Sequence, residues 1–181
     1  SWMTLAGSNL APAVAQAAEV PLPTTLGGVR VRVNNVFAPL SYVSPTQINA
    51  QLPYEIPAGQ ASVIVEVNGA SHSALFQVIG AAPGIFVYGN NRAVVQNVDA
   101  AGGVTLNTAD NPIVAGGIVL VYFTGQGRLD NAVPTGGVAS ASPLSRVASS
   151  ASVTIGGRTA QVPFLGMTPG FVALTQGNLL V

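Results

Sequence analysis

Cysteine is absent from this chain, and so is lysine. The first absence excludes disulfides, thiol catalysis and zinc–thiolate centres, although it leaves the compartment open. The second excludes the lysine–asparagine isopeptide cross-links that stiffen some surface domains. Charge of either sign is scarce: six bases, all arginine, and six acids make up 7% of 181 residues, against about 25% in ordinary soluble domains. A net charge of +0 creates no field to steer nucleic acid or an anionic membrane, so neither is expected as a partner. Long apolar runs are also missing. The longest, Ile118 to Phe123, is strand-sized and far short of the ~20 residues of a spanning helix, so no membrane insertion is expected.

What is present is apolar and rich in turn formers: 49% apolar residues, 21 glycines and 13 prolines. Such a chain can bury one large core or two small ones. Few titratable groups among many Gly, Pro, Ser and Thr point to an exported protein, extracellular or at the cell surface. The segment "LAPAVAQAAEV" ends like a signal-peptide cleavage site at Ala15-Gln16-Ala17. However, "GSNLAP" interrupts its apolar stretch and no basic segment precedes it, so any export signal is expected upstream of Ser1.

Short β-branched runs bounded by turn residues dominate. Val63, Val65 and Val67 alternate with Ile64, Glu66 and Asn68, the period of a strand. Asn34-Asn35, Asn68-Gly69 and Gly156-Gly157 tolerate the positive φ that tight hairpins require. The fold class is therefore all-β, of sandwich type. The one helix candidate is Ala13 to Glu19, confined to about two turns between Pro12 and Pro21.

The chain also repeats itself. Gln47, Asn49 and Leu52 recur as Gln176, Asn178 and Val181, always 129 residues later, and "VRVNNVFAPLSY" from Val31 matches "VTIGGRTAQVPF" from Val153 at a shift of 122. This predicts two copies of one sandwich unit, residues 1–80 and 81–181, joined near Gly80 to Gly84, with an insert at 85–111 in the second. Pro83 makes that junction short and semi-rigid.

Gly-x-Asn-Leu, the Val-x-Val-Asn-Asn hairpin, "SPTQINAQLP" and "PAGQASVIVEVNG" together resemble an IPT/TIG-type immunoglobulin-like domain. Over nearly the whole chain, motifs from "NLAP" to "PGFVALTQGN" resemble a C-terminal module of acidobacterial extracellular proteins of unknown function. The resemblance implies two tandem immunoglobulin-like sandwiches. It also implies that the second continues past its Gln-x-Asn motif into another hairpin.

Chemistry is sparse. His72, the only histidine, lies beside a predicted hairpin turn, with no nucleophile elbow anywhere to complete a triad. Glu19, Glu55, Glu66, Asp99, Asp110 and Asp130 are scattered, and no stretch favours a glycosidase pair. Asp99 and Asp110, with Asn97, Asn107 and Asn111, are the weak metal candidates. They lack calcium-loop spacing and read better as turn formers. "TGQGRLDNAVPTGG" has glycines after a strand but no helix to cradle phosphate, and reads as a loop. No cofactor is implied. Gln47, Asn49, Gln176 and Asn178 read as a structural amide motif, since a shared fold needs it twice. Tyr42 and Tyr122 read as core, whereas Tyr54 and Tyr88 are the aromatics that would face a ligand.

The reading that follows is a non-enzymatic extracellular structural or assembly module. Its partners are proteins or further copies of itself, engaged through a C-terminal sheet edge. The alternative is a carbohydrate- or matrix-binding module with a polysaccharide ligand. Aligned on Gln-x-Asn, the second unit has no counterpart to "ASVIVEV" and "SALFQVI". Their lost burial amounts to about 10–20 kcal/mol, comparable with the about 5–15 kcal/mol stability of a domain. Three remedies are expected to compete: a fragment whose last hairpin lies beyond the sequence, the insert's hairpin folding back, or a strand donated by a neighbour to build a filament.

Overall fold

The computed structural model describes residues 1–89 and 91–181. The described residues form strands, turns and loops and contain no helix. The chain divides into two compact units. The first comprises Ser1–Gly80 together with Val133–Ala139 and Gly170–Ala173; the second comprises Ala81–Ala132, Ser140–Pro169 and Leu174–Val181.

The first unit holds strands β1 (Trp2–Ala6), β2 (Ala15–Gln16), β3 (Thr25–Leu26), β4 (Val29–Val33), β5 (Val36–Phe37), β6 (Leu40–Val43), β7 (Gln47–Gln51), β8 (Gly59–Val67) and β9 (Ala70–Val78). One antiparallel sheet runs β1-β7-β6-β2; the other runs β3-β4-β8-β9, with β5 also paired to β4. Alternation along β4 sends Val29, Val31 and Val33 inward, each 0% exposed, and leaves Arg30 exposed. They form one cluster with Leu40, Val43, Ile48 and Ala50 of the facing sheet and Ala61 and Val63 of β8. Each large apolar side chain buried there contributes about 1.5–3 kcal/mol. This is an immunoglobulin-like sandwich.

The hairpins obey their turn chemistry. Asn34 and Asn35 have φ of 45° and 69°, Asn68 and Gly69 of 51° and 81°, and Gly156 and Gly157 of 57° and 78°. Paired positive φ makes a two-residue turn whose twist matches the strands it joins. The expected helix at Ala13–Glu19 does not form. Ala15 and Gln16 pair instead with Val43 and Tyr42, and the Ala17 N–H donates to the Ser41 carbonyl at 2.9 Å. Two turns cannot sustain themselves in isolation, and an open sheet edge offered the same amides partners.

The second unit holds β10 (Gly84–Ile85), β11 (Val87–Tyr88), β12 (Arg92–Ala93), β13 (Val95–Val98), β14 (Val104–Leu106), β15 (Ile118–Thr124), β16 (Val153–Ile155), β17 (Arg158–Met167) and β18 (Thr175–Leu180). Its sheet runs β14-β13-β15-β18-β17-β16, and β10 pairs with β15. The junction is tied into this unit from Ala82, whose N–H donates to the Gly125 carbonyl at 2.9 Å. Only glycine fits at 125: its φ is +80°, and a Cβ would stand 1.9 Å from the Ala82 carbonyl oxygen.

The repeat can be followed strand by strand. β18 lies between β15 and β17 as β7 lies between β1 and β6. A register shift interrupts β6 between Leu40 and Tyr42, and another interrupts β17 between Gln161 and Phe164, the equivalent place. β16 pairs with the start of β17 as β4 pairs with β5. Nothing among the described residues stands beside β16 where β8 and β9 stand beside β4. Two expectations are corrected here. The C-terminal strand is not a sheet edge, because β18 is paired on both sides, so no strand can be donated there. The insert's hairpin, β13–β14, does not occupy the place of β8 and β9; it widens the sheet beyond β15.

Burial records the difference. Val31 and Val33 are 0% exposed, while their counterparts Val153 and Ile155 are half-buried and 37% exposed. Leu40→Ala should therefore lower unfolding free energy by about 2–5 kcal/mol, and Ile155→Ala by no more than about 0.5 kcal/mol. Denaturant titration of each variant measures both.

Candidate functional site

β7 and β18 each carry their Gln-x-Asn pair on the face opposite the core, since Ile48 and Ala50, or Gly177 and Leu179, point inward. The Gln47 Nε2 donates to the Asn49 Oδ1 at 2.8 Å, and the Gln176 Nε2 to the Asn178 Oδ1 at 2.7 Å. Thr4 adds a donor to Asn49 at 3.1 Å. Across the next strand Asn49 faces Tyr42, and Asn178 faces Phe164. The same amide pair therefore sits beside an aromatic ring in both units, where it ties two residues of a central strand together.

Tyr42 and Tyr122 belong to this outer face and not to the core. Tyr42 is followed by the inward Val43, and Tyr122 shares its parity with the outward Leu120 opposite Asn178. The Tyr122 hydroxyl donates to the Gln96 Oε1 at 2.7 Å, and burial raises its pKa above 10.0. The places of Tyr42 and Tyr122 in the repeat and in a core strand suggest an interior position. Parity relative to the buried Val119 would have placed Tyr122 correctly.

The acidic and amide residues of the 97–111 stretch serve one another. The Asp99 Oδ1 accepts the N–H of Ala101 at 2.9 Å and of Gly103 at 2.7 Å, closing a turn. Asn107 donates to the Asn97 side chain, Asn97 to the Asn111 carbonyl, and Asn111 to the Leu106 carbonyl. Asp110 is exposed apart from this network. Among the described residues no three His, Cys, Asp or Glu side chains gather as metal ligands would. His72 is exposed on β9 opposite Val65. Tyr54 is half-buried in the first unit, its N–H donating to the Thr135 Oγ1. Tyr88, 37% exposed in the second, directs its hydroxyl to the Asn107 carbonyl.

On the outer face of the β4–β8 sheet, Glu66 pairs with Arg30 at 2.7 Å and with Arg32, and both guanidinium groups stand over Phe37. Two bases share one acid here, with the Glu66 side chain 18% exposed and those of Arg30 and Arg32 51% and 31%.

The open peptide groups are the remaining chemistry. β9 is nine residues long and ends its sheet. The Asn68-Gly69 turn closes on the Val67–Ala70 pair, so the N–H and C=O groups of alternate residues from Ala70 face β8. Those of Ser71, Ser73, Leu75 and Gln77 face away. Leu75 is 69% exposed and Ile79 58%. No proline or lysine guards this edge, the usual protections against pairing with another chain. The sequence carried the signal for it: a two-residue turn dictates which amides point outward.

Comparison with known proteins agrees with this geometry. The family model of the IPT/TIG domain matches residues 3–78, which lie within the first unit. No curated protein and no solved structure matches the chain.

Two outcomes test the assignments. Gln47→Ala and Gln176→Ala should each lower stability by about 0.5–1.5 kcal/mol, read by denaturant unfolding; no change would remove the structural role of the pair. Tyr122 should titrate above the ordinary phenol value. A pKa raised in the folded state gives stability that is complete below the unfolded value of 10.0 and is lost as pH rises through the folded one. Alkaline difference absorbance, compared with Tyr122→Phe, should show one late phenolate and an alkaline stability loss that the variant lacks.

Proposed function

We propose that this chain is a non-catalytic structural module of an extracellular or cell-surface protein, and that copies of it associate through the free edge of β9. The unguarded, nine-residue β9 edge is the observation that carries the reading. Two such edges are complementary about a two-fold axis centred on Ala74. In that arrangement Ser73 stands opposite Leu75 and Ser71 opposite Gln77, and the outward amides of each copy meet those of the other. No like charges oppose this contact, because β9 carries no Asp, Glu, Lys or Arg. An export destination suits a chain with so few titratable groups. The duplication runs through the whole chain, so the natural domain division is 1–80 and 81–181, with 85–111 inserted in the second. A filament follows if a second, different edge is engaged as well.

Light scattering across a concentration series should show a reversible dimer of the purified chain. Leu75→Lys and Ser73→Pro should shift it to monomer while leaving circular dichroism unchanged, because neither residue's peptide groups pair with β8. A monomer at every concentration would overturn the proposal. Saturable polysaccharide binding abolished by Tyr54→Ala or Tyr88→Ala would replace it with the ligand-binding alternative.

A further inference from the structure

A short extension of the second unit's sheet brings two arginines onto its outer face. Beyond the part of β17 that β16 covers, Ser145 to Val147 take up the same side of the strand. Arg146 bridges Gly166, the Met167 N–H donates to the Ser145 carbonyl at 2.8 Å, and the Val147 N–H donates to the Leu165 carbonyl at 3.0 Å. Leu129 bridges Val147 in turn, and the Asp130 N–H donates to the Arg146 carbonyl at 3.0 Å. Residues paired directly across strands share a face. Arg146 therefore lies on the side of Gly166 and Gln176, where Phe164 and Asn178 also stand. Arg128, an even number of residues from the Asp130 that faces Arg146, shares that side.

Gly166 permits the arrangement. A Cβ there would stand 2.8 Å from the Phe164 Cζ and 2.5 Å from the Ser145 carbonyl oxygen, so the tip of the ring reaches across bare backbone. The Arg146 guanidinium stands over that ring, 5.0 Å from its centroid. Stacking fixes the plane of the guanidinium and leaves its edge of N–H donors free. No acid takes that edge. Among the described residues both ion pairs belong to Glu66 in the first unit, and the Asp130 Oδ1 accepts main-chain N–H groups, of Asn131 at 2.6 Å and Arg146 at 2.7 Å. Arg128 and Arg146 are both exposed. Beside them the Gln176 Nε2 donates to the Asn178 Oδ1, which leaves the Gln176 oxygen as an acceptor and the Asn178 amide as a donor. The first unit has the amide pair without the arginine. There Thr4 donates to Asn49, and among the described residues no guanidinium stands over Tyr42. The amide pair is shared scaffold, whereas the stacked arginine belongs to the second unit alone.

We infer that this face is a binding site for a polysaccharide bearing carboxylate groups. The Arg146 fork meets a carboxylate through two parallel N–H···O bonds. Arg128 supplies a second cation on the same face, and the Gln176–Asn178 pair meets ring hydroxyls with one acceptor and one donor. An acidic peptide accounts for the arginines and a neutral glycan for the amides; a polymer of uronic acids accounts for both. β15, β18, β17 and residues 145–147 lie side by side at about 4.8 Å between neighbours, which makes an open surface for a chain of sugar rings and not a closed pocket for one. The site belongs to the other unit from β9, so the inference stands whether or not β9 self-associates.

The test is calorimetric titration of the full chain with short oligogalacturonates, with dextran oligomers and polyglutamate for comparison. The expected result is saturable binding of the oligogalacturonate alone, weakening as salt rises. Arg146→Gln should lower affinity about tenfold or more, and Arg128→Gln in the same direction. Circular dichroism should not change, because both side chains are exposed. Arg146→Lys keeps the charge and loses the fork, and should also weaken binding about tenfold. Absence of binding, or full affinity in either Arg146 variant, overturns the inference. Equal binding of polyglutamate would assign the face to an acidic peptide, and equal binding of dextran would remove the arginines from recognition; either result overturns it. Binding lost in Tyr54→Ala or Tyr88→Ala but kept in Arg146→Gln would place the polysaccharide elsewhere, with the same consequence. Leu75→Lys should leave oligogalacturonate affinity unchanged, so this inference and the β9 dimer fail separately.

Discussion

Main-chain pairing along one central strand in each unit is the constraint on which the rest depends. β7 and β18 each have neighbours on both sides, a buried face of small and apolar residues, and an outer face closed by the glutamine–asparagine pair. The chain has no disulfides, and among the described residues its two ion pairs share a single glutamate. Its cohesion comes from peptide ladders and from the apolar area those ladders bring together. The bulges at Leu40–Tyr42 and Gln161–Phe164 occur on the strand beside each amide pair, so even the irregularities are arranged around it.

From that shared centre the units diverge. In the first, two sheets close on one another and their valines, leucine and isoleucine leave water completely. In the second, the sheet grows sideways through β13 and β14 and not across a sandwich, and its fully shielded apolar residues are few: Val119, Met167 and Leu179. Loop polar groups do more of the work there. Asp130 holds the Asn131 and Arg146 N–H groups, and Gln126 accepts from the buried Thr175 hydroxyl. The two units thus share a central strand pattern and differ in how many of their described apolar residues are shielded.

Much of this is legible in the sequence, where the signal is local. Positive φ at Asn34-Asn35, Asn68-Gly69 and Gly156-Gly157 is a property of those residue types, and alternation in β4 and β8 is a property of spacing. The hairpin at Gly27-Gly28 obeys the same rule, with φ of 56° and 78°, and passed unnoticed because β3 is only two residues long. The alanine-rich segment at 13–19 misled because propensity yields to an available sheet edge. The facing of Tyr42 and Tyr122 depends on strand parity, which hydrophobicity does not reveal. The docking of Val133–Ala139 into the first unit left no trace in the sequence. Its contacts include main-chain groups of Gly136, whose N–H meets the Gln51 Oε1 at 2.6 Å and whose carbonyl accepts from Leu22 at 2.8 Å.

That late segment has a temporal meaning. Gln51 is 0% exposed, and its side-chain oxygen accepts from Gly136, a residue made long after it. From the same segment Thr135 donates its hydroxyl to the exposed Glu55 at 2.8 Å, and the Gly170 N–H donates to the Ala139 carbonyl. A chain emerging from the ribosome can therefore assemble the first sandwich early, but not finish it. The buried Gln51 side-chain oxygen stays without this donor until much of the second unit has followed. An unmatched buried group costs about 1–3 kcal/mol, enough to leave the early sandwich looser until the later chain arrives.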